Sequence, residues 1–171
     1  LDVAEKLCNN QNIIFQMIGD GAFSDEFKKK AHERSLTNIQ FIPWQPVEKI
    51  AEVNSACSIG FIPLSRGVIW NSYPSKSALL MAIGRPIVTV AEPNSIYYRS
   101  INENRVGECF DHDSVEEIAN AIFRLSSNHA LLLEYAENGK RYSAENFSSL
   151  ACIPSFVKLL ENTAMSLTEG K

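Results

Sequence analysis

Pro74-Ser75-Lys76 is the segment of this sequence best suited to holding an anion. Proline is favoured in the first turn of a helix, Ser75 can cap that helix, and its free backbone N–H groups beside Lys76 would face a phosphate. A helix N-terminus contributes about 0.3 to 1 kcal/mol toward an exposed anion and up to ~2 kcal/mol when partly buried, so Lys76 adds to the site rather than creating it. The same residues also read as an ordinary cap followed by a solvated lysine. Arg66, beside Gly67, is a second cation after a strand-like run and serves equally as surface charge. Gly19-Asp20-Gly21 follows another such run and suits either a tight turn whose backbone approaches a ligand or a plain strand-to-helix turn. It completes neither the GxGxxG nor the Walker pattern, so nicotinamide cofactors and P-loop hydrolysis lose support. Pro43-Trp44-Gln45-Pro46 holds an indole in a proline-fixed loop, where it packs on a nucleobase or covers the core rim. His32, His112 and His129 are scattered, form no triad with a nucleophile and a carboxylate, and read as surface residues. No residue is assigned a catalytic role.

These segments are placed by the elements around them. Asp2 to Cys8 has helical spacing, and Ile13 to Ile18 is a short apolar run that predicts a buried strand. Phe23 to Arg34 then reads as helix, Ile39 to Ile42 as strand, Val47 to Val53 as helix and Cys57 to Leu64 as strand. After a loop from Ser65 to Tyr73, a helix runs from Pro74 through Ala82, with Gly84 as its stop. Ile87 to Val90 is a strand, Ile96 to Ile101 a short helix and Val106 to Phe110 a fifth strand. Ser114-Val115-Glu116-Glu117 has the form of a capping box for a helix to Leu125. Asn128 to Ala144 and Ser149 to Asn162 close the domain, which spans residues 1–162, and residues 163–171 read as a disordered tail. Strands alternating with helices predict an α/β fold, a doubly wound parallel sheet with helices on both faces. Ligands of such sheets bind at the carboxyl ends of the strands, so five loops, beginning at Gly19, Pro43, Leu64, Ala91 and Asp111, are expected to share one edge.

Composition narrows the partners. The 171 residues, 45% hydrophobic and 21% charged, can bury one core, and 16 Lys and Arg against 20 Asp and Glu give a net charge of −4. That balance argues against nucleic acid, which demands a basic surface. Cys8, Cys57, Cys109 and Cys152 form no metal-ligand spacing, so no metal is expected, and the apolar surroundings of the last three predict buried thiols of a reducing compartment. No apolar run reaches membrane-spanning length, and the expectation is a cytoplasmic protein.

Taken in order, FQMIGDGA, NIQFIPWQPVEKIAEVNSACSIGFIPL, YPSKSALLMAIGRPIVTV, VGECF and the Ser-Val-Glu-Glu helix resemble the C-terminal, nucleotide-sugar-binding domain of GT-B-fold glycosyltransferases. The large retaining family often numbered four is the nearest in pattern. Pro74 to Val88 is similar to its "P-x-K … MA-x-G-x-P" stretch, and the likeness covers roughly residues 1–160. The resemblance implies a Rossmann-like half of a GT-B fold that binds a nucleoside-diphosphate sugar without a cofactor. It places Gly19, Gly21, Ser75, Lys76 and Arg66 at the donor diphosphate. Ile42, Pro43, Trp44 and Gln45 would line the base pocket, and Asn71, Ser72 and Tyr73 would approach the donor sugar. It further implies a saccharide or lipid-linked acceptor held by an N-terminal domain, surface polysaccharide biosynthesis in a bacterial setting, and peripheral membrane association of the full-length protein.

Two departures from the family pattern shape the expectation. Where many members carry paired glutamates, this chain has Asn71 and Leu79, and Leu79 cannot hydrogen-bond a ribose. The chain also starts beyond the family's first strand of this domain with its Arg and Lys pair. The expectation is therefore a truncated donor half that folds, with an exposed apolar sheet position where the first strand should be, and does not transfer sugar alone. A non-catalytic nucleotide-sugar-binding module and a GT-B-type nucleotide-sugar 2-epimerase are the alternative readings.

Overall fold

The computed structural model describes residues 1–70 and 73–169, with the side chains through 165. Five parallel strands alternate with helices, α1 (Asp2–Lys6), β1 (Phe15–Ile18), α2 (Ser24–Glu33), β2 (Ile39–Ile42), α3 (Ile50–Ala56), β3 (Gly60–Pro63), α4 (Ser75–Ala82), β4 (Ile87–Val90), α5 (Ile96–Glu103) and β5 (Gly107–Phe110). Three helices follow, α6 (Val115–Ser127), α7 (His129–Asn146) and α8 (Ser149–Glu169). Short 3-10 turns at Val47–Lys49 and Val68–Trp70 precede α3 and α4.

The strands fall into two parallel sheets, β1-β2 and β3-β4-β5, rather than one. In the larger sheet β4 lies between its neighbours, with Ile87 opposite Gly60 on one side and Gly107 on the other. All four β4 side chains are buried, which its unbroken Ile-Val-Thr-Val run anticipates. Alternation along the strand sends Val88 and Val90 into a cluster with Val3 and Leu7 of the α1 segment and Ile118, Ile122 and Leu125 of α6. Ile87 belongs to a second cluster with Leu80 and Met81 of α4, Tyr97 and Ile101 of α5, and Val106. Each such aliphatic side chain contributes roughly 1.5–3 kcal/mol by leaving water. Phe15 of β1 and Phe61 of β3 meet edge to face with centroids 6.3 Å apart, a side-chain contact between the two sheets.

Polar groups in the second cluster are paired. Thr89 Oγ1 donates to the Ile62 carbonyl at 2.7 Å, Tyr97 donates its hydroxyl to Thr89 at 3.2 Å, and Ser77 Oγ lies 2.7 Å from that hydroxyl. This relay joins β3, β4, α4 and α5 and satisfies each of its three buried hydroxyls. Gly107 is fixed by close approach, because a Cβ there would lie 1.9 Å from the Ile87 carbonyl oxygen.

Several local expectations change. Helix α4 begins at Ser75 with Pro74 at the cap position, and Ser75 makes no capping bond. Ser114 likewise makes none, so the Ser-Val-Glu-Glu box is not closed. The side-chain caps are Ser95, which accepts from Tyr98 N, and Asn128, which accepts from Leu131 N. Residues 163–169, expected as a disordered tail, continue α8, since no Gly or Pro interrupts the chain there. Helix α8 leaves Leu150, Ile153, Phe156 and Leu160 exposed. All four cysteines are free, but only Cys109 is fully buried, and burial pushes its thiol up to about 12. Cys57 is half-buried and Cys152 is exposed on α8, so the expectation of three buried thiols holds for one. His112, read as a surface residue, has a side chain only 10% exposed.

Candidate functional site at the carboxyl ends of the strands

The loops after the strands form two groups, and among the described residues no hydrogen bond or ion pair joins one group to the other. The first group follows β1 and β2. Gly19, at φ +120°, donates its N–H to the Ile42 carbonyl at 2.9 Å, so the glycine turn packs directly on the end of β2. Asp20 then accepts the Trp44 backbone N–H at 3.2 Å, and Gln45 Nε2 donates to the Pro43 carbonyl at 3.0 Å. Gly21 accepts the Ser24 N–H at 2.8 Å as α2 begins. These bonds hold the Trp44 indole 64% exposed on the surface. An indole this open, in a loop tied by side-chain-to-backbone bonds, is able to stack on a flat ring.

The second group follows β3, β4 and β5. Helix α4 presents the N–H groups of Ser75 and Lys76 without an intrahelical acceptor. Both side chains are exposed, and Lys76 forms no hydrogen bond or ion pair among the described residues. An unpaired cation beside two free amides is able to hold a phosphate group. Arg66 differs, because its guanidinium is already occupied by Asp113 at 2.7 Å and lies 3.8 Å from Asp111. Asn71 and Ser72, expected near the donor sugar, lie outside the described residues. Tyr73 is anchored inward, its ring 5.0 Å from those of Tyr97 and Phe147 and its hydroxyl 3.3 Å from Ser100 Oγ. Burial pushes the Tyr73 phenol well above its ordinary range, so the hydroxyl stays protonated.

Leu79 does not point to this edge. It lines a groove between α4 and α7 together with Ala82, Ser143, Ala144 and Phe147. Sequence reasoning passed over Asp20, Trp70 and Glu92. Trp70 is 59% exposed after β3, and its only sequence signal is an aromatic residue in a loop that follows a strand. Asp20 and Glu92 act on backbone amides distant in sequence, and no local pattern marks them. No group of three or more His, Cys, Asp and Glu side chains suited to a metal occurs among the described residues, and no helix there is long and apolar enough to cross a membrane.

A doubly wound parallel unit with a free helix N-terminus at its carboxyl edge belongs to the α/β class whose ligands are held at that edge. The family model of glycosyl transferases group 1 matches residues 1–142, and the chain belongs to that family. WbjE of Pseudomonas aeruginosa, named as a glycosyltransferase, is 33% identical over 116 residues, covering 66% of this chain and 28% of WbjE. WcaI of Escherichia coli (strain K12), named for glycosyl transfer in colanic acid biosynthesis, is 25% identical over 145 residues, covering 80% of this chain and 34% of WcaI. The chain thus spans about a third of the length of these curated relatives. Its fold is that of an S. aureus TarM variant solved in complex with fondaparinux, α-GlcNAc-glycerol and UDP, with TM-score 0.73, 18% identity and coverage of 92% of this chain and 31% of TarM. It also matches WaaG, a glycosyltransferase involved in lipopolysaccharide biosynthesis, with TM-score 0.65, 16% identity and coverage of 91% and 40%.

Proposed function

We propose that this chain is the donor-binding domain of a glycosyltransferase, which moves a sugar from a nucleoside-diphosphate sugar to a saccharide or lipid-linked acceptor in surface polysaccharide biosynthesis. The observation that carries the reading is the start of α4, where two free amides adjoin the unpaired Lys76 in a chain of this family. Sugar transfer releases a nucleoside diphosphate, and the negative charge that develops on it is stabilised by preorganised N–H groups and a cation. Ser75 and Lys76 supply those groups, while Gly19, Gly21, Ile42, Pro43, Trp44 and Gln45 receive the nucleoside. Arg66 joins the diphosphate only by leaving Asp113 and Asp111.

The acceptor and the donor's second contacts come from outside these residues in this reading, and the complete protein works at the cytoplasmic face of a membrane. Isothermal titration of this chain and of the full-length protein with UDP, GDP and ADP tests donor binding. Binding of one diphosphate by the full-length protein supports the reading, and no binding by either protein overturns it. A non-catalytic nucleotide-sugar module is favoured by Leu79 facing α7, and turnover of a bound donor by the full-length protein excludes it.

A further inference from the structure

The facing edges of β1 and β3 carry backbone groups that neither sheet uses. Each strand is paired on one side alone, β1 with β2 and β3 with β4. Successive residues of a parallel strand send their N–H groups to opposite sides. Phe15 and Gly19 direct theirs to the Asn38 and Ile42 carbonyls of the β2 segment at 2.8 and 2.9 Å, so Gln16 and Ile18 turn theirs to the other edge. In the same way Gly60 and Leu64 donate toward β4, to the Pro86 and Val90 carbonyls at 2.9 and 3.3 Å, and Phe61 turns away. Among the described residues no strand lies on either of those sides. Pro63, the last residue of β3, has no N–H, so a ladder along that edge ends before it.

Direct pairing of β1 with β3 would give the order β2-β1-β3-β4-β5, which is a complete doubly wound sheet. The strands do not pair, and Phe15 and Phe61 meet instead by ring edges, 6.3 Å between centroids. Two strands that flank a third stand about 9–10 Å apart, a span that two phenylalanines on one face can bridge. Helix α1 covers that face, since Val3 and Leu7 belong to the cluster on which Phe15, Ile59 and Phe61 pack. Lys6 of α1 also pairs with Glu116 of α6 at 2.8 Å, and the chain runs from α1 into β1. A helix so placed is the crossover of a right-handed βαβ unit whose first strand lies beside β1. We propose that the edges of β1 and β3 form a docking site for one parallel strand of the same polypeptide, joined to α1, which makes a single sheet in the order β2-β1-strand-β3-β4-β5. Its carbonyls take the Gln16, Ile18 and Phe61 N–H groups, and its side chains are apolar on both faces, as in β4. The tether through α1 favours this strand over one from a second copy, because it makes docking intramolecular. This chain covers 28% of WbjE and 34% of WcaI, and proteins of that length hold the sequence such a strand needs.

Hydrogen exchange at single-residue resolution, corrected for intrinsic rates and read on this chain and on the full-length protein, tests the site. Phe15 and Gly60, whose N–H groups are already bonded, serve as internal references, so a general gain in stability does not count as docking. In this chain the Gln16, Ile18 and Phe61 amides are expected to exchange about tenfold faster than the references, the scale of one hydrogen bond, and in the full-length protein the difference is expected to vanish. Equal protection in this chain at low concentration overturns the proposal, because β1 and β3 then pair directly. A difference that persists in the full-length protein also overturns it. Protection in this chain that rises with its concentration assigns the edges to a second copy and overturns it too. No nucleotide enters the measurement, so its outcome is independent of donor binding.

Discussion

Lys76 and the acidic side chains carry the chemistry that single substitutions can probe. Replacing Lys76 by Ala removes a cation from the start of α4 and leaves the fold intact, because the side chain is exposed. UDP affinity of the full-length protein is expected to fall about three- to tenfold, within the range of a charge at a helix N-terminus, while uridine binding is unchanged. Titration calorimetry with both ligands reads the difference, and equal losses would remove Lys76 from the diphosphate. Acid sensitivity follows from the carboxylates. The Arg34 hydrogen bond lowers Asp2, the Gly67 amide lowers Glu92, the His112 amide lowers Asp111 and the Arg105 hydrogen bond lowers Glu134. Each ionises at lower pH in the fold than in the unfolded chain, so its stabilisation is present at neutral pH and is lost as pH falls through the folded ionisation. The melting temperature should therefore drop from pH 6 toward pH 3, with a shallower slope in E134Q. The place of Lys76 in the first turn of α4 was legible in the sequence because Pro74 marks a helix start, whereas the Glu92 bond to the Gly67 amide was not, because it joins loops that meet only in three dimensions.

Element-scale predictions centre on β4 and its neighbours. Gly107→Ala drives a methyl into the Ile87 carbonyl and should destabilise the chain by about 1–3 kcal/mol or more, read as a lower urea midpoint. Tyr97→Phe removes a hydroxyl placed between Ser77 and Thr89 and is expected to cost about 1 kcal/mol in the same assay. Short β-branched and aromatic runs made β2 and β4 readable to the residue. Caps were less so. Ser75 and Ser114 have the right residue types, yet the backbone reaches their helices without using either hydroxyl, while Ser95 and Asn128 make the bonds. Helix α8 shows the reverse error, since a mixed polar and apolar stretch without a breaker extends the helix beyond Asn162.

Across the whole molecule, strand pairing was the least readable feature. Each strand's pattern is local, but which edges meet is decided by the path of the chain, and the division into β1-β2 and β3-β4-β5 has no signature in any one segment. Open parallel edges invite pairing with other chains, and the exposed apolar residues of α8 add to that tendency. Size-exclusion chromatography of this chain between about 10 and 200 µM, a working range on the order of typical weak association, is expected to show concentration-dependent self-association, and a constant monomer would contradict it. The division also bears on cooperativity. Among the described residues the two sheets meet through side chains such as Phe15 and Phe61, and no backbone hydrogen bond links a strand of one to a strand of the other. They are expected to behave as two foldons, with amides of β1 and β2 exchanging by a smaller opening than those of β4 in hydrogen-exchange NMR. A nucleotide that reached from Trp44 to Lys76 would bridge them and act as a rivet, merging two unfolding units into one.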